Sequence, residues 1–445
     1  VLSNDQEQAV DRVLRLLDDP NRRVVTLAGA AGTGKTTCVR EILRRLSCPY
    51  VLAAPTGKAA LRLRQVTGEP AVTLHRIAYQ GATETEGGDL DFRKREAGSV
   101  QGGDLFNFRD GAFDPDDDEG EGAWGRRVAA ALRGGGRAVV ACDEASMVGA
   151  RLFDDLMGPT GALGPRVKLL AIGDHCQLPP VGADAAFDLE HADAKLDKIH
   201  RQAEGGALLD LVTHLRTERT VLTPRIATRF GFVPEFLSAH ELAQRAAVAI
   251  DFAGTEWVGL VSTNRQRIAV NRLARKGIGF PAMGAGPQVG EVVIALDNSY
   301  SVPCMNGEIG EVISVAGWEI DGIAGYTTQI DFGDRIGEVA VPAESWADEA
   351  PKTAGKVGIQ IKQALKAVTW QGGRSGLDAG RVLRRMVGLA PAYSLTVHKS
   401  QGSEWTTGAF VLGRASWLEG DEWRLGYTAA TRFRERPTFV VGCAS

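Results

Sequence analysis

The chain has 445 residues, 44% of them apolar and 24% charged, with 51 lysines and arginines against 55 aspartates and glutamates for a formal net charge of −4. That length exceeds one hydrophobic core, so two or more domains are expected, and the composition excludes a disordered, collagenous or strongly basic protein. No run approaches the roughly 18 apolar residues of a membrane span, no basic-then-apolar leader opens the chain, and the six cysteines contain no C-x-x-C pair; these features argue against a membrane protein, a secreted disulfide scaffold and a zinc site.

In chain order, residues 24–27 form a short β-branched run, Gly29-Ala30-Ala31-Gly32-Thr33-Gly34-Lys35-Thr36 fits G-x-x-x-x-G-K-[ST], and residues 38–46 read as helix. A strand, a glycine-rich loop and a helix are the context in which backbone N–H groups converge on phosphate oxygens. Lys35 would place a point charge on the β and γ phosphates of ATP, and the Thr36 hydroxyl would bind Mg2+. Residues 78–136 are rich in glycine and acids, with alternating stretches Asp89-Leu90-Asp91-Phe92-Arg93 and Asp104-Leu105-Phe106-Asn107-Phe108-Arg109. Period-two alternation around a Gly-Gly turn reads as a β-hairpin. Its phenylalanines, Phe92, Phe106 and Phe108, either offer an aromatic face to a base or pack the base of the hairpin. Six carboxylates within residues 114–121 read as a solvated loop.

Residues 138–142 are a second apolar strand, ending at Asp143-Glu144. Adjacent carboxylates at a buried strand end repel one another, and a metal ion gives them a reason to be there. Asp143 would hold Mg2+ through its water shell, and Glu144 would accept the proton of an attacking water. Residues 167–172 form a third apolar strand that runs into Gly173-Asp174-His175-Cys176-Gln177-Leu178-Pro179-Pro180. The neutral amide of Gln177 can orient that water and sense the γ phosphate without adding negative charge. Within residues 289–385, short β-branched segments at 291–296, 309–315, 326–332 and 337–341 are separated by Gly, Asn and Asp turns and suggest a compact barrel. Residues 352–385 carry eight lysines and arginines against Asp378 alone. That run either follows a phosphate backbone or is a solvated helix face.

With Asp143-Glu144-Ala145-Ser146 and Gly173 to Gln177, the chain resembles superfamily 1 DNA helicases, and within them the RecD/Dda-like group. Further motifs follow in order over nearly the whole chain. Leu2-Ser3-Asn4-Asp5-Gln6 is similar to the adenine-reading Q motif, which implies that Gln6 offers its amide to the base. Ala54-Pro55-Thr56-Gly57-Lys58-Ala59-Ala60 resembles motif Ia, and Thr73-Leu74-His75-Arg76 the element beside it; both imply contacts to a DNA strand. Ile199-His200-Arg201-Gln202 resembles motif IV, with Arg201 as an arginine finger, and Val261-Ser262-Thr263-Asn264 a loop that grips single-stranded DNA. Thr396-Val397-His398-Lys399-Ser400-Gln401-Gly402-Ser403-Glu404 is similar to motif V, and Tyr427-Thr428-Ala429-Ala430-Thr431-Arg432 to motif VI, whose arginine reaches the γ phosphate.

The resemblance implies an α/β fold of two RecA-like P-loop motor domains with a β-hairpin pin insert and an SH3-like β-barrel insert. The expected boundaries are 1–77 and 137–195 for the first motor domain, 78–136 for the pin, 196–288 and 386–445 for the second, and 289–385 for the barrel and basic segment. It implies ATP and Mg2+ as cofactors and 5′ to 3′ movement on DNA. The catalytic set is Lys35, Glu144, Gln177, Arg201 and Arg432, with Thr36 and Asp143 on the metal. Gln6, Gly29, Ala30, Ala31, Gly32, Thr33, Gly34, Thr37, Gly402 and Glu404 join them on the nucleotide. Pro55, Thr56, Phe92, Phe106, His75, Thr263, Asn264, Thr396 and His398 are assigned to DNA. The expected partners are single-stranded DNA and junctions with duplex, together with single-strand-binding or replication proteins, for a cytoplasmic or nucleoid-associated monomer without a membrane. Two alternatives stay open: an RNA-directed helicase of the same superfamily, and a nucleotide-switched binding or remodelling protein that does not unwind.

Overall fold

The computed structural model describes residues 2–84, 90–94, 135–198, 206–249, 256–297, 299, 302, 304–347, 351–413, 418 and 420–442. The chain divides into two compact units, Val1–Gly206 and Ala207–Ser445. In both, a parallel α/β sheet carries the motifs.

The first unit holds β1 (Val24–Gly29), β2 (Tyr50–Ala54), β3 (Ala71–Thr73), β4 (Tyr79–Glu84), β5 (Leu90–Lys94), β6 (Ala138–Cys142), β7 (Val167–Gly173) and β8 (Ala194–Leu196). Six of these form a wholly parallel sheet in the order β3-β2-β6-β7-β1-β8. Every residue of β6 and β7 is buried, as expected of a parallel sheet covered on both faces. Alternation divides them between two cores. Val140, Cys142, Leu169 and Ala171 pack with Leu152 and Leu156 of the Ala150–Met157 helix. Val139, Ala141, Leu170 and Ile172 pack with Val10 and Val13 of the Asn4–Asp18 helix and Ile42 of the Lys35–Arg45 helix. The three strands read from apolar runs are therefore present, each somewhat longer or equal to its run.

β5 contains Phe92 and is a strand, but its described partner is β4, which precedes it; Ala82 pairs with Phe92 in an antiparallel ladder. The stretch with Phe106 and Phe108, and the acidic loop, lie outside the described residues, as do residues 199–202 with Arg201.

The second unit holds β9 (Glu235–Phe236), β10 (Trp257–Val261), β11 (Val292–Ala295), β12 (Ile309–Ile320), β13 (Ile323–Asp331), β14 (Ile336–Pro342), β15 (Leu389–Pro391), β16 (Ser394–Thr396), β17 (Thr407–Val411) and β18 (Thr438–Val441). A parallel sheet runs β16-β10-β17-β18-β9, and an antiparallel sheet runs β14-β13-β12-β11-β15. A bridge between Ala340 and Met386 brings β14 close to the segment entering β15. The short segments read between residues 291 and 341 are these strands.

Leu389–Pro391, just past the residue 385 at which the insert is expected to end, pairs antiparallel with β11 and lies in the same sheet. Only after Pro391 does the chain pass to the parallel sheet at Ser394. The basic run is a helical pair, Pro351–Gln371 and Gly373–Arg385. Ile361, Leu365, Val368, Ala379, Val382 and Met386 turn inward against Ile320 and Trp318.

Candidate active site and nucleic-acid interface

Parallel register sets Ala28 beside Gly173, Cys142 beside Ala171, Ala53 beside Cys142 and Ala54 beside Thr73. Residues leaving β1, β7, β6, β2 and β3 therefore emerge along one carboxyl edge of the first sheet, where open α/β sheets bind ligands. In that order they are the glycine-rich loop, Asp174 to Gln177, Asp143-Glu144, Pro55-Thr56 and Leu74-His75.

Gly34 precedes the Lys35–Arg45 helix with φ 81°, which suits glycine, and a β-carbon there would stand 2.3 Å from Gln6 Nε2. Lys35 Nζ donates to Gly29 O at 2.8 Å and Ala30 O at 3.1 Å, which holds the ammonium over the loop. Thr33 Oγ1 donates to Ala30 O at 2.9 Å. Ala31, Gly32 and Thr36 are partly buried, and Thr37 is exposed. Gln6 Oε1 accepts from Ser3 N–H and Nε2 donates to Thr33 O, both at 3.0 Å. The amide thus fastens the start of the Asn4–Asp18 helix to the loop, a bridging job that the motif resemblance did not include.

Burial, reinforced by the Glu144 carboxylate and opposed by Lys35 and Arg62, pushes Asp143 up to about 6. Asp143 Oδ1 accepts from Glu144 N–H at 2.9 Å. Glu144 itself has φ 52° and ψ 38°, a left-handed conformation that costs a residue with a β-carbon on the order of 1 kcal/mol. Its Oε2 is buried without a hydrogen-bond partner. A carboxylate driven towards its neutral form and an orphaned acceptor beside it are both relieved by a cation and its waters, so the pair fits a divalent metal.

Gly173 permits this arrangement. A β-carbon on it would lie 3.0 Å from Ser146 N, inside the turn that follows Glu144. Beyond it, Asp174 Oδ1 accepts from Cys176 N–H at 3.0 Å and Gln177 N–H donates to Asp174 O at 3.2 Å, which seats Gln177 in the interior at 3% exposure. Asp174, His175 and Cys176 also bring one metal-donor atom each within 4.8 Å of one another, a grouping the cysteine spacing did not anticipate.

Thr56, Thr263 and Thr396, expected to touch a strand of DNA, share one local structure with Thr73, which precedes His75. Thr56 caps the Gly57–Thr67 helix, accepting from Ala59 N–H at 3.2 Å. Thr73 caps Leu74–Ala78, which presents His75 at the surface. In the second unit Thr263 caps Asn264–Ile278, with Gln266 completing a capping box, and Thr396 caps Val397–Ser400. Val261 and Thr396 are register partners on β10 and β16, so these two caps lie at adjacent strand ends. Asn264 is exposed, and its Oδ1 accepts from Arg267 Nε at 3.3 Å. Each cap sits where a strand turns into a helix, and helix N–H groups at such turns are ready phosphate donors. Burial pulls His398 below the usual imidazole value, and it brings Lys399 down to about 8 with help from Arg267.

Arg432 is 3% exposed and turned onto its own unit. It donates through Nε to Thr428 O at 3.2 Å, through Nη1 to Ser403 O at 3.3 Å and through Nη2 to Thr431 Oγ1 at 3.1 Å. Gly402 takes φ 76° just before Ser403, and Glu404 lies 3.7 Å from Arg434. The last two motifs are thereby tied to each other. Sequence reasoning missed a cavity of about 440 Å³ lined by Leu2, Thr37, Arg40, Tyr50 and Thr67 among others. Its walls come from segments far apart in sequence; of them only Leu2, in the stretch similar to the Q motif, and Thr37, after the glycine-rich loop, belong to a recognised motif.

The AAA domain family model matches residues 1–236, and the UvrD-like helicase C-terminal domain model matches residues 391–438. The ATP-dependent RecD2 DNA helicase of Deinococcus radiodurans is 26% identical over 460 residues, covering 100% of this chain and 49% of that protein. The ATP-dependent DNA helicase dda of Enterobacteria phage T4 is 28% identical over 192 residues, covering 42% of this chain and 35% of that protein. The chain thus spans about half or less of the length of these relatives. Among solved structures, the Pif1 helicase from Candida albicans superposes with a TM-score of 0.53 at 18% identity, covering 100% of this chain and 95% of that one. Pif1 from Bacteroides, in complex with ADP-AlF3 and single-stranded DNA, gives 0.52 at 16%, covering 99% and 92%. At those identities the likeness is one of fold.

Proposed function

We propose that this chain, which belongs to the AAA domain family, is a RecD/Dda-like superfamily 1 helicase, an ATP-driven motor that moves along single-stranded DNA and separates duplex. The observation that carries the reading is the shared sheet edge. Lys35, Asp143 and the orphaned Glu144 Oε2 stand on the same edge as the capped turns at Thr56 and Thr73, so nucleotide chemistry and strand contact use one rigid frame.

In this reading the loop from Gly29 to Thr36 wraps the phosphates, Lys35 leaves its loop carbonyls for the β and γ oxygens, and the base enters the cavity beside Leu2 and Thr37. Thr36 and Asp143 would hold Mg2+, which neutralises phosphate charge when bound. Glu144 takes the proton of the attacking water and Gln177 orients it. Arg201 and Arg432, from later in the chain, answer the charge that develops on the γ phosphate. Binding and hydrolysis of ATP would then alternate the grip of the Thr56 and Thr73 turns with that of Thr263 and Thr396. The antiparallel sheet β14-β13-β12-β11-β15 is read as the SH3-like insert and β4-β5 as the root of the pin.

The test is unwinding of duplexes with a 5′ or a 3′ tail by the wild type and Lys35→Ala. Wild type opens the 5′-tailed duplex and Lys35→Ala neither hydrolyses ATP nor unwinds. Unwinding that survives Lys35→Ala overturns the assignment, unwinding only from the 3′ tail overturns the polarity, and ATPase stimulation by poly-rU in place of poly-dT makes the substrate RNA.

A further inference from the structure

The outer face of the helical pair Pro351–Gln371 and Gly373–Arg385 has no part in the site described above. Trp370 is 90% exposed there and Leu377 is 70% exposed, although the inward faces of both helices are well packed. Tryptophan is seldom left so open on a surface with no partner. The surroundings are cationic. Residues 360–385 carry Lys362, Lys366, Arg374, Arg381, Arg384 and Arg385 against Asp378 alone. Arg381 lies 3.6 Å from Asp378, and Arg385 pairs with Glu338. Lys366, Arg374 and Arg384 have no carboxylate within ion-pair distance among the described residues.

Helical spacing places Lys366 on the same side as Trp370, four residues away, and aligns Arg374, Leu377, Arg381 and Arg384 along the next helix. Between them Gly372 and Gly373 turn with φ 76° and 70°, and nothing stands within 4 Å of where their β-carbons would be. The turn beside the indole is therefore open to a ligand.

We propose that this face is an additional contact for single-stranded DNA, with Trp370 stacking on an unpaired base while Lys366, Arg374 and Arg384 meet the flanking phosphates. The inference rests on the DNA reading above. An aromatic platform inside a cationic rim is what a single strand needs, because every base has a π-face and every linkage a charge. A second copy of the chain is disfavoured, since it would set guanidinium groups against each other. An apolar helix would find Leu377 as the one other exposed large apolar side chain on this pair among the described residues.

The experiment is anisotropy of labelled oligo-dT over a salt series, using the full chain as wild type, Trp370→Ala, Trp370→Phe and Arg374→Glu/Arg384→Glu, with melting temperature and DNA-free ATPase as controls. Trp370→Ala should weaken binding about fivefold or more, Trp370→Phe should restore most of it, and the charge reversal should lower the slope of log K against log salt by about 1.4 or more. Controls should match wild type. If wild type binds and Trp370→Ala binds equally, this inference falls and the DNA reading stands; if wild type does not bind oligo-dT, both fall. An effect confined to duplex DNA, or to a poly-glutamate competitor, also overturns it.

Discussion

The helix Asn264–Ile278 buries Arg267, Asn271 and Arg275, each four residues from the next, on one polar face. Asn271 Nδ2 donates to Pro391 O at 2.6 Å, and its Oδ1 accepts from Ser394 N–H at 2.7 Å, on the strand that returns from the antiparallel sheet. Arg275 holds the outgoing side. Its Nε lies 2.5 Å from Glu291 Oε1 and its Nη2 3.1 Å from Oε2, while Nη1 and Nη2 also donate to Pro281 O and Gly286 O. The side chains are 2% and 0% exposed, and the guanidinium lies 5.6 Å from the ring of Trp346. Arg275→Met would leave a buried Glu291 carboxylate, whose Oε2 also accepts from Gln288 N–H at 3.0 Å, without its guanidinium. Breaking a buried pair from one side costs about 3–5 kcal/mol, because the remaining charge is uncompensated. Arg275→Met/Glu291→Leu removes both charges and should recover most of that loss. Hydrogen exchange read by mass spectrometry on peptides of β11, β12 and β15 measures it: 3 kcal/mol is a loss of protection of about 150-fold. A loss under about 1 kcal/mol in Arg275→Met, or a double variant no better than the worse single one, would refute the uncompensated-charge argument.

Asp143→Asn should abolish ATP hydrolysis and stabilise the fold. The folded pKa, about 6, lies above the ordinary 3.8, so the folded chain holds the proton more tightly and wild-type stability falls, relative to Asn, as pH rises from 3.8 to 6. The advantage should reach at most about 3 kcal/mol above that window, at about 1.4 kcal/mol per unit, and vanish below pH 4; urea melts at pH 4 and 7.5 that show the same difference would contradict it. Thr263→Ala should cost about 1 kcal/mol through the lost cap and weaken oligo-dT binding, whereas Thr263→Ser keeps both; equal binding by Ala and Ser variants would remove this turn from the strand contact.

The proposed nucleotide half of the site is legible in the sequence because it is local. Each element is a buried strand followed at once by its chemistry: Gly29 to Lys35 after β1, Asp143-Glu144 after β6, Gln177 after β7. A parallel sheet then gathers these strand ends on one edge without further instruction, since register alone aligns Ala28 with Gly173 and Cys142 with Ala171. The threonines were legible as motifs, though not as helix caps, because capping depends on where the strand stops.

What tertiary structure alone decided involves partners far apart along the chain or a conformation that residue type opposes. Glu144 sits in the left-handed region despite its β-carbon, and Gln6 reaches Thr33 across 27 residues. Leu389–Pro391 joins a strand almost a hundred residues earlier, so its membership of the insert could not be read from the composition around it. The basic run showed its charge first. Only packing against Ile320 and Trp318 separated the inward face, with Ile361, Leu365 and Val368, from the outward one that leaves Trp370 in solvent. By itself, then, the sequence determined which residues stand at strand ends, because that follows from short-range pattern. Which of them meet, and which side of a helix faces water, was decided by long-range burial, where the free energy lies in neighbours that no local window contains.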